Sequence, residues 1–488
     1  MVNIKKVVVL MLENRSFDHM LGNLKSLNPE INGCLPGGGN KACSNPGSSG
    51  DVEVTLNAVY SSADPSHSVS ATSAQIYNSD PATNFPTTPP TMKGFVHNFA
   101  TVMKNDTIGA KIMDCFDHVN VQAISNLSME FALFDGYFAS VPGPTMVNRA
   151  YAASATSHGM STNDPLTIGL GLPQKTMFTQ LLDMGLDYRV YFDDFPSLLA
   201  FKELRREHTL PRFSRMAKFY KDVASDTLPQ LSWLEPGYFD VFDKPASDQH
   251  PNHDVSLGDK MIGDVYTALR SSTSWNETAF IITYDEHGGF FDHVPPPTEN
   301  VPNPDSLNNT LNDPFNFTRL GVRVPMIVVS PLVEKGSVVH AAPSSAGQYE
   351  HSSIIATVIH KIFEPKVGHP PPSFLTSRDE WAKTFEDVFS LSEPRTDCPE
   401  SVPDMPSHRA SHPEAGLPKL EDIIGKTPVT NLQKEFVAIA SGLHVENKCE
   451  ADPIMTELIQ LDHPRINSYT EEQAFQYVKT RLNDCLDL

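Results

Sequence analysis

Positively charged residues are in short supply in this sequence. Its 37 lysines and arginines stand against 59 aspartates and glutamates, which gives a formal net charge of −22. Because nucleic acid backbones are bound by clusters of basic side chains, nucleic acid is not an expected partner. Long-range attraction to an anionic membrane is disfavoured for the same reason, which leaves only a local basic patch for peripheral membrane contact.

Long hydrophobic runs are also missing. A membrane-spanning helix needs roughly 20 apolar residues, and no stretch approaches that length. The run VVVLML at residues 7–12 is too short and lacks the flanks of a signal peptide. We therefore expect a soluble protein that is cytosolic or bound peripherally to a membrane, and secretion only where a leader preceded this numbering.

Cysteine is sparse, with 6 residues among 488. Cys34 and Cys43 enclose the sequence CLPGGGNKAC and are candidates for closing a small disulfide loop. The other four show no spacing typical of metal ligands: Cys115, Cys398, Cys449 and Cys485. Cysteine usage thus gives no support to a thiolate metal site and favours a cytosolic setting slightly over a secreted one.

Three short apolar runs stand out against long mixed segments: KVVVLML (6–12), AFIITY (279–284) and VPMIVVS (324–330). They are rich in β-branched residues and do not alternate, which is typical of strands buried on both faces of a parallel sheet. Before the second run, LGDKMIGDVYTALRSS (257–272) carries apolar residues at helical spacing. A helix followed by a buried strand predicts an α/β fold with a mostly parallel central sheet.

Changes in composition along the chain suggest one large domain with additions. Residues 1–393 are predicted to form the main domain, and the Gly-, Ser- and Pro-rich stretch from about 30 to 95 is interpreted as an insertion. Residues 394–418 are proline-rich and typical of a linker. Within 419–488, two amphipathic segments predict a small helical region, and the second begins with a capping box at Thr470. Their apolar faces are expected either to dock on the main domain or to touch lipid.

The first two apolar runs both end in acidic and amide side chains. Glu13 and Asn14 follow the first run, and Asp285 and Glu286 follow the second. Because ligands bind beyond the carboxyl ends of strands in open α/β sheets, we expect these four side chains at one edge. Clustered oxygen ligands suit a hard cation, so one divalent ion (Ca²⁺, Mg²⁺ or Mn²⁺) is predicted there. The alternative is that Glu13 and Asn14 cap the next helix and the other pair lies in a solvated turn.

A third segment supplies a candidate nucleophile. FASVPGPTMVNRAYAASATSHG (138–159) begins with small turn residues and then becomes helical. Thr145 lies where the helix would begin, so its hydroxyl faces backbone N–H groups and the positive end of the helix dipole. It is either a nucleophile or only an N-cap, and the two roles are compatible. Asn148 and Arg149 follow one turn later, and Arg149 is expected to pair with phosphate oxygens or with an acid.

Histidines cluster near the same features. HPNHD contains His250 and His253, and DEHGGFFDH contains His287 directly after the second acidic pair. His67 lies within the insertion and His351 in YEHSS. A lone loop histidine is usually structural or solvated. The dense clusters, however, suggest groups that protonate a leaving alkoxide or contact phosphate oxygens, with His250 as first choice for the acid.

A hydroxyl nucleophile, a hard metal ion and imidazole acids fit the hydrolysis of a phosphate ester. In this interpretation the metal binds the Thr145 oxygen and lowers its pKa, and the oxygen attacks the phosphorus in line. Water then releases a phospho-threonine intermediate.

The strings ENRSFDH, PTMVNR, HPNHD and TYDEHGGFFDHVPPP resemble a known family over roughly residues 4 to 365. It is the phosphoesterase family that includes plant non-specific phospholipase C, bacterial phosphatidylcholine-preferring phospholipase C and a bacterial acid phosphatase. The plant-type enzymes, with their added C-terminal region, look most similar. The resemblance implies a three-layer α/β fold similar to that of the alkaline phosphatase superfamily.

The resemblance also implies roles for individual residues. It implies metal ligands at Glu13, Asn14, Asp285 and Glu286, a nucleophile at Thr145, and acid or phosphate-contacting histidines at His67 and His250. We add His253 and His351 to the catalytic set, and Asn148, Arg149 and His287 as phosphate contacts.

The leading hypothesis is a phospholipase C that cuts the glycerol–phosphate bond of phosphatidylcholine and similar phospholipids. Its products would be diacylglycerol and a phosphorylated head group. A phosphomonoesterase acting on soluble or lyso-lipid phosphates would use the same site. A membrane-binding or regulatory protein with a relict site is the non-enzymatic alternative, and the oligomeric state is left open.

Overall fold

The computed structural model describes the chain from residue 3 to residue 486, with gaps. The residues outside the description within this span are 59–62, 80–83, 242–243, 311–312, 344, 368–371, 404–427, 445–448, 450 and 453–467. Most of the predicted linker at 394–418 therefore lies outside the described residues.

The three predicted apolar runs all form strands. In chain order the strands of the described residues are β1 Lys6–Leu12, β2 Ser44–Gly47, β3 Gly50–Glu53, β4 Ala132–Phe134, β5 Tyr137–Phe138, β6 Tyr188–Phe192, β7 Phe213–Arg215, β8 Leu231–Glu235, β9 Thr278–Tyr284, β10 Met326–Val329, β11 Val338–Val339 and β12 Tyr349–Glu350.

A central sheet combines eight of these strands in the order β11-β4-β10-β9-β1-β8-β6-β7. Strand β1 pairs in parallel with β9 on one side and with β8 on the other. Strand β10 runs antiparallel to both of its neighbours. It is the one reversed strand among the eight described strands of the central sheet. The prediction of a mostly parallel sheet is confirmed.

Helices surround this sheet. In chain order they are α1 Phe17–Leu21, α2 Val69–Tyr77, α3 Phe95–Met103, α4 Asp106–Ala110, α5 Gln122–Glu130, α6 Thr145–Ser154, α7 Pro165–Leu170, α8 Met177–Asp183, α9 Met216–Ala224, α10 Val255–Arg270, α11 Ser352–Thr357, α12 Glu364–Val367, α13 Ser377–Trp381, α14 Asn431–Ser441 and α15 Glu471–Leu486.

Burial along the central strands explains the layering. Every residue of β9 is buried, and so is every residue of β1 after Lys6. Since alternate side chains of a strand point to opposite faces, a strand buried throughout must be covered on both faces. Helices α5, α9 and α10 pack against strands β4, β6 and β9. The α/β fold with helical layers on the sheet is thus the predicted one.

The predicted insertion contains a small apolar cluster of its own. Strands β2 and β3 form a hairpin, and helices α2 and α3 pack against each other. The expected disulfide between Cys34 and Cys43 is present, with their Cα atoms 5.6 Å apart. Phe290 and Phe291, from the loop after β9, belong to this cluster. The insertion is therefore anchored beside the carboxyl end of β9.

The C-terminal helices dock on the main domain. The ring of Phe436 on α14 lies 4.9 Å from that of Phe195 and 4.8 Å from that of Tyr238. The helices α14 and α7 approach closely, since a Cβ added to Gly442 would lie 1.9 Å from the Gly169 carbonyl oxygen. The apolar stripe of α15 is buried: Ala474, Val478 and Leu482. These apolar stripes were expected either to dock on the main domain or to touch lipid. In the structure they pack within the protein.

Two features fix the end of the chain locally. The predicted capping box at the start of α15 is present, because Gln473 N–H donates to the Thr470 hydroxyl and Thr470 N–H donates to the Gln473 side chain. A disulfide joins Cys449 to Cys485, a pairing that the sequence spacing did not predict. Among the described residues, no helix combines the length and the apolarity that crossing a bilayer requires.

Candidate active site

The carboxyl ends of β1 and β9 lie side by side, as the sequence predicted. The backbone N–H of Asn14 donates to Asp285 Oδ1 over 3.1 Å. The N–H of Arg15 donates to the Glu286 carbonyl over 3.0 Å. Asn14 adopts a left-handed conformation with φ of 53°, which turns the chain sharply after the strand. Glu13, Asn14, Asp285 and Glu286 therefore share one edge of the sheet.

The glycine pair after Glu286 lets the two strand ends close on each other. Gly288 has a φ of 63°, and a Cβ there would lie 2.3 Å from the carbonyl oxygen of Asn14. Gly289 has a φ of 74°, and its Cβ would lie 2.8 Å from the ring of Pro65. A side chain at either position would push apart backbone segments that carry candidate site residues.

Arg149 is the charged centre of this edge. Its guanidinium is buried and bonds to Glu13, to Asp285 at 3.1 Å and to Glu235 at 3.2 Å. All three carboxylates are fully buried. The sequence allowed either phosphate or an acid as the partner of Arg149. In the structure Arg149 pairs with acids. Glu235 ends β8, so three neighbouring parallel strands each deliver a carboxylate to one guanidinium.

The pKa values of these acids are shifted in different directions, because burial raises all of them and nearby charges differ. Loss of hydration raises the pKa of Glu13 well above its usual value, against the opposing effect of Arg149. The pKa of Asp285 is raised for the same reason. Burial also disfavours the Glu286 carboxylate, but His67 and His287 outweigh it and lower the pKa. The pKa of Glu13 is thus raised and that of Glu286 lowered, although both carboxyls are fully buried.

Thr145 is the first residue of α6. The N-cap of this helix is Pro144, and no side chain caps it. The hydroxyl of Thr145 makes no hydrogen bond with the described residues. Thr145 is therefore not the N-cap that the sequence offered as an alternative to a nucleophile. The next N–H, that of Met146, donates to Asn163 Oδ1 over 3.1 Å. Asn163 in turn donates to Glu435 Oε1 over 2.6 Å.

Asn148 shapes the loop before Thr145. Its Oδ1 accepts from the N–H of Val141 over 3.0 Å, and its Nδ2 donates to the carbonyls of Val141 and Gly143 over 3.1 and 2.9 Å. These bonds hold the Pro-Gly-Pro turn against the first turn of α6. The expectation that Asn148 contacts phosphate stays a prediction.

Two of the predicted histidines border the acidic edge. His67 Nε2 lies 4.0 Å from Glu286 Oε1, and its Nδ1 bonds to the Pro65 carbonyl at 2.9 Å. Burial opposes the protonated ring, but Glu286 and Asp64 outweigh it and raise the pKa of His67 to about 9. His250 Nδ1 bonds to the Pro251 carbonyl at 2.9 Å, which leaves Nε2 pointing toward Asp64, 3.8 Å away.

The other three histidines are held within the protein. His253 is buried between Asp248, 2.6 Å from Nδ1, and Glu471 of α15, 3.4 Å from Nε2. His351 Nε2 donates to the Asp285 carbonyl at 2.6 Å, and burial lowers its pKa to about 4. His287 Nε2 bonds at 2.9 Å to the side chain of Gln75 in the insertion. Their catalytic or phosphate-binding roles stay predictions.

The predicted ligand set fits a hard cation in its chemistry. Glu13 Oε2, Glu286 Oε1 and both polar atoms of the Asn14 amide are buried and have no hydrogen-bond partner in the described chain. Buried polar atoms without partners are rare in folded proteins, so their concentration at one place indicates a site for an additional polar group. Oxygen ligands alone suit Mg²⁺, Ca²⁺ or Mn²⁺.

A second cluster of possible ligand side chains lies elsewhere in the described residues. Asp18, Cys34 and His293 are the three acid, thiol or imidazole side chains whose ligand atoms lie within 4.8 Å of one another. Cys34, however, is bonded to Cys43, and a disulfide sulfur is not a thiolate ligand. Asp18 already pairs with His293 and with Arg323. This group is therefore better explained as a structural ion-pair network, and the acidic edge remains the candidate metal site.

A cleft of about 540 Å³ opens beside the start of α6. Its wall includes Asp64 and His67 from the insertion, Pro144 before Thr145, and Lys434 and Glu435 from α14. Glu435 is buried, its Oε2 has no partner, and burial raises its pKa to about 8. The cleft is thus built jointly by the insertion, the main domain and the C-terminal helices.

Sequence reasoning missed three residues of this site. Glu235 directly follows the buried run LSWL. The expectation applied to β1 and β9, that acids after a buried strand lie at the ligand-binding edge, would also have identified it at the end of β8. Glu435 shares one face of its helix with Leu432, Phe436 and Ile439. An acid on an apolar face indicates a buried carboxyl with a polar partner, because acids are rarely buried unpaired. Asp64 lies in a loop and had no signal of its own.

Comparison with known proteins defines the class. A sequence profile described as the Phosphoesterase family matches residues 4–365. Non-specific phospholipase C6 of Arabidopsis thaliana is 42% identical over 481 residues, covering 98% of this chain and 86% of the relative. Non-specific phospholipase C1 of the same plant is 43% identical over 406 residues, covering 82% and 74%. Phospholipase C B of Mycobacterium tuberculosis is 28% identical and covers 64% and 61%.

These similarities identify the protein as a hydrolase of phosphoric esters. The chain belongs to the Phosphoesterase family. Among solved structures, it matches a protein of the alkaline phosphatase superfamily from Vibrio parahaemolyticus at 11% identity and a TM-score of 0.30, covering 51% of this chain and 64% of the other. A phosphonate monoester hydrolase of Agrobacterium radiobacter matches at 12% identity and a TM-score of 0.31, covering 56% and 73%.

Proposed function

We propose that this protein is a phospholipase C that hydrolyses the glycerol–phosphate bond of phospholipids such as phosphatidylcholine. The products are diacylglycerol and the phosphorylated head group. The observation that carries the proposal is the free hydroxyl of Thr145 at the start of α6, one helical turn from the guanidinium that binds the acidic edge. The similarity to proteins named non-specific phospholipase C supports the lipid substrate.

Thr145 is the proposed nucleophile. The N-terminus of the ten-residue helix α6 carries partial positive charge, which favours the anionic phosphoryl group beside it. The Thr145 hydroxyl gives its proton to solvent, and its oxygen forms a bond to phosphorus while the bond from phosphorus to the glycerol oxygen breaks. Water then attacks the phospho-threonine, which releases the phosphorylated head group and returns a proton to the threonine oxygen.

His250 is the proposed acid for the leaving group. Its Nδ1 is engaged by a carbonyl, so the proton to be transferred is on Nε2, next to Asp64. Transfer of that proton to the glycerol oxygen makes diacylglycerol a neutral leaving group. His67, whose pKa is raised, is the proposed cationic contact for the phosphoryl oxygens.

One divalent ion is the proposed cofactor, held by Glu13, Asn14, Asp285 and Glu286. When bound, such an ion lowers the pKa of a coordinated hydroxyl and neutralises charge on the phosphoryl group. The acids of this edge outnumber its fixed cations, Arg149 and His67. This excess negative charge, together with the unpartnered oxygens, supports a cation site.

The cleft is the proposed place of the substrate. Its volume of about 540 Å³ lies within the usual range of ligand pockets, which suffices for a head group and the glycerol region. The acyl chains would then extend toward the surface, where peripheral contact with the membrane would supply the lipid.

The test is cleavage of phosphatidylcholine vesicles by the purified protein, with the lipid products separated by mass. Diacylglycerol with phosphocholine is the expected pair, and Thr145→Ala should lower its formation by about a thousandfold or more. Thr267→Ala, a half-buried threonine of α10, is the matched control and should keep full activity. Unchanged turnover in Thr145→Ala would exclude this residue as the nucleophile.

The same experiment separates the alternative of a phosphomonoesterase. If the protein releases phosphate from a soluble monoester but forms no diacylglycerol, the lipid assignment is wrong and the monoesterase is right. Elemental analysis of the wild type and of Glu286→Ala tests the cofactor. Loss of the bound metal from the variant is expected, and full occupancy would remove Glu286 from the ligand set.

A further inference from the structure

Arg15 carries a buried charge without an acidic partner. Its side chain is 2% exposed. No carboxylate of the described chain lies at ion-pair distance, although the charges of Asp248 and Asp64 act on the guanidinium from farther away. Nε donates to the Gln249 carbonyl over 2.8 Å, and Nη1 donates to His19 Nε2 over 3.0 Å. The guanidinium carbon lies 4.6 Å above the ring of Phe290. Nη2 makes no hydrogen bond within the described residues.

Four other buried arginines are compensated, whereas Arg319 bonds only to the Ser73 hydroxyl and is a further exception among the described residues. Arg149 and Arg323 pair with carboxylates. Arg378 and Arg205 bond through all three of their nitrogens to backbone carbonyls. Because a buried cation that lacks both acids and a full set of acceptors is costly, Arg15 marks a place where an anion would bind.

The unused side of Arg15 faces a cavity of about 190 Å³. Arg15 and His19 lie at its buried end, while Lys111 and Asn57 are exposed at its mouth. The walls between them are mostly apolar and come mainly from residues 99–116 and the loop after β9: Phe99, Met103, Ile108, Ile112, Phe116 and Phe290. The partly buried Asp114 also lines the cavity. The cleft beside Thr145 shares none of these lining residues.

The charges at the buried end select the type of anion. The Nδ1 of His19 donates to the Asp114 carbonyl, so its Nε2 accepts from Arg15, as a neutral ring does. Burial and the nearby Arg15 also lower the pKa of His19 well below its usual value. One full positive charge therefore faces the cavity from its inner end. A single charge matches a carboxylate better than a doubly charged phosphate monoester.

We propose that this cavity is a binding site for an amphiphilic carboxylate of medium chain length, with its carboxylate on Arg15 and its hydrocarbon chain along the side chains that α3 and α4 contribute to the wall. The apolar walls account for the chain, and the open Nη2 of Arg15 accounts for the carboxylate. A cavity of about 190 Å³ suits a chain of medium length, such as that of octanoate, rather than a full-length acyl chain. The inference does not depend on the chemistry proposed for Thr145.

The test is titration calorimetry of the full-length protein with octanoate, octanol, octyl phosphate and octyltrimethylammonium. One saturable octanoate site is expected, with affinity at least about tenfold above that for octanol. Arg15→Met keeps an apolar stem and removes the charge, so this preference should disappear. Binding of the cation as tight as octanoate, tighter binding of octyl phosphate, or no saturable octanoate binding would overturn the proposal.

A second pair of variants keeps the test decisive if Arg15→Met does not fold. Ile108→Trp fills the cavity from its wall and should abolish octanoate binding. Val119→Trp places the same side chain at a site that is 50% exposed and should leave binding unchanged. Thermal melting checks that both variants are folded. Full octanoate affinity in folded Ile108→Trp would show that the ligand binds elsewhere.

Discussion

Replacing Arg149 by methionine would leave three buried carboxylates without their shared cation. Glu13, Glu235 and Asp285 are all fully buried and bond to this one guanidinium. Breaking a buried ion pair by removing one partner costs about 3–5 kcal/mol, because the remaining charge is uncompensated. Since whole domains are stable by only about 5–15 kcal/mol, Arg149→Met should lose a large part of the free energy of unfolding.

The loss should depend on pH in a defined direction. The pKa values of Glu13 and Asp285 are raised in the folded protein, so their protonated forms are favoured there. A carboxyl with a raised folded pKa contributes its full stability below the unfolded pKa and loses it as pH rises through the folded pKa. Without Arg149 both values rise further. The stability gap to the wild type should therefore be small near pH 5 and widen toward pH 8.

The assay is urea unfolding followed by tryptophan fluorescence at both pH values. Trp233 is buried on β8 near Glu235 and reports on this region. Arg205→Met is the matched control, since Arg205 bonds to backbone carbonyls and its loss should cost the same at either pH. If Arg149→Met unfolds like the wild type and changes only the KM for phospholipid, then Arg149 contacts phosphate and its role as counter-ion is refuted.

Other variants test the parts of the site that come from outside the main sheet. Glu435→Ala should lower phospholipid turnover about tenfold, because Asn163 loses the acceptor of its hydrogen bond. Glu435→Gln keeps an acceptor oxygen and should retain most of the activity. Equal losses in both variants would contradict the role of Glu435 in positioning Asn163. Replacing Cys34 and Cys43 by serine should cost about 2–3 kcal/mol, measured without reductant as a lower unfolding midpoint than that of the wild type. Phe436→Ala should destabilise the protein by about 3–5 kcal/mol, and an unchanged melting temperature would mean that α14 does not hold the fold together.

The sheet edge could be predicted from sequence because its determinants are local. Each buried strand is a short unbroken apolar run, and the residue types that follow it are visible in the same string. Glu13 and Asp285 are far apart in the chain, yet parallel neighbours bring their carboxyl ends together by rule. The position of Thr145 at the start of α6 could also be predicted locally, because a Pro-Gly-Pro turn before a helical pattern marks the first helical residue.

The partners of these side chains could not be predicted in the same way. Arg149 is visible as a basic residue one turn after Thr145, but only the strand order shows that three carboxylates converge on it. Sequence spacing states which side chains reach an edge, not how many of one sign gather there. The balance of charge, which decides whether an arginine binds acids or phosphate, is a property of the assembled sheet.

The C-terminal helices illustrate the same limit in packing. An amphipathic pattern states that one face of a helix is covered, but the covering surface is chosen by shape and by the few polar groups that need partners. Glu435 and Glu471 lie on the buried faces of α14 and α15, where an isolated carboxyl would be costly. Asn163 and the backbone N–H of Asp240 in the main domain supply those partners, so the polar groups fix where the helices dock. The same contacts bring the C-terminal region to the rim of the cleft, which makes it part of the candidate site rather than an appendage to it.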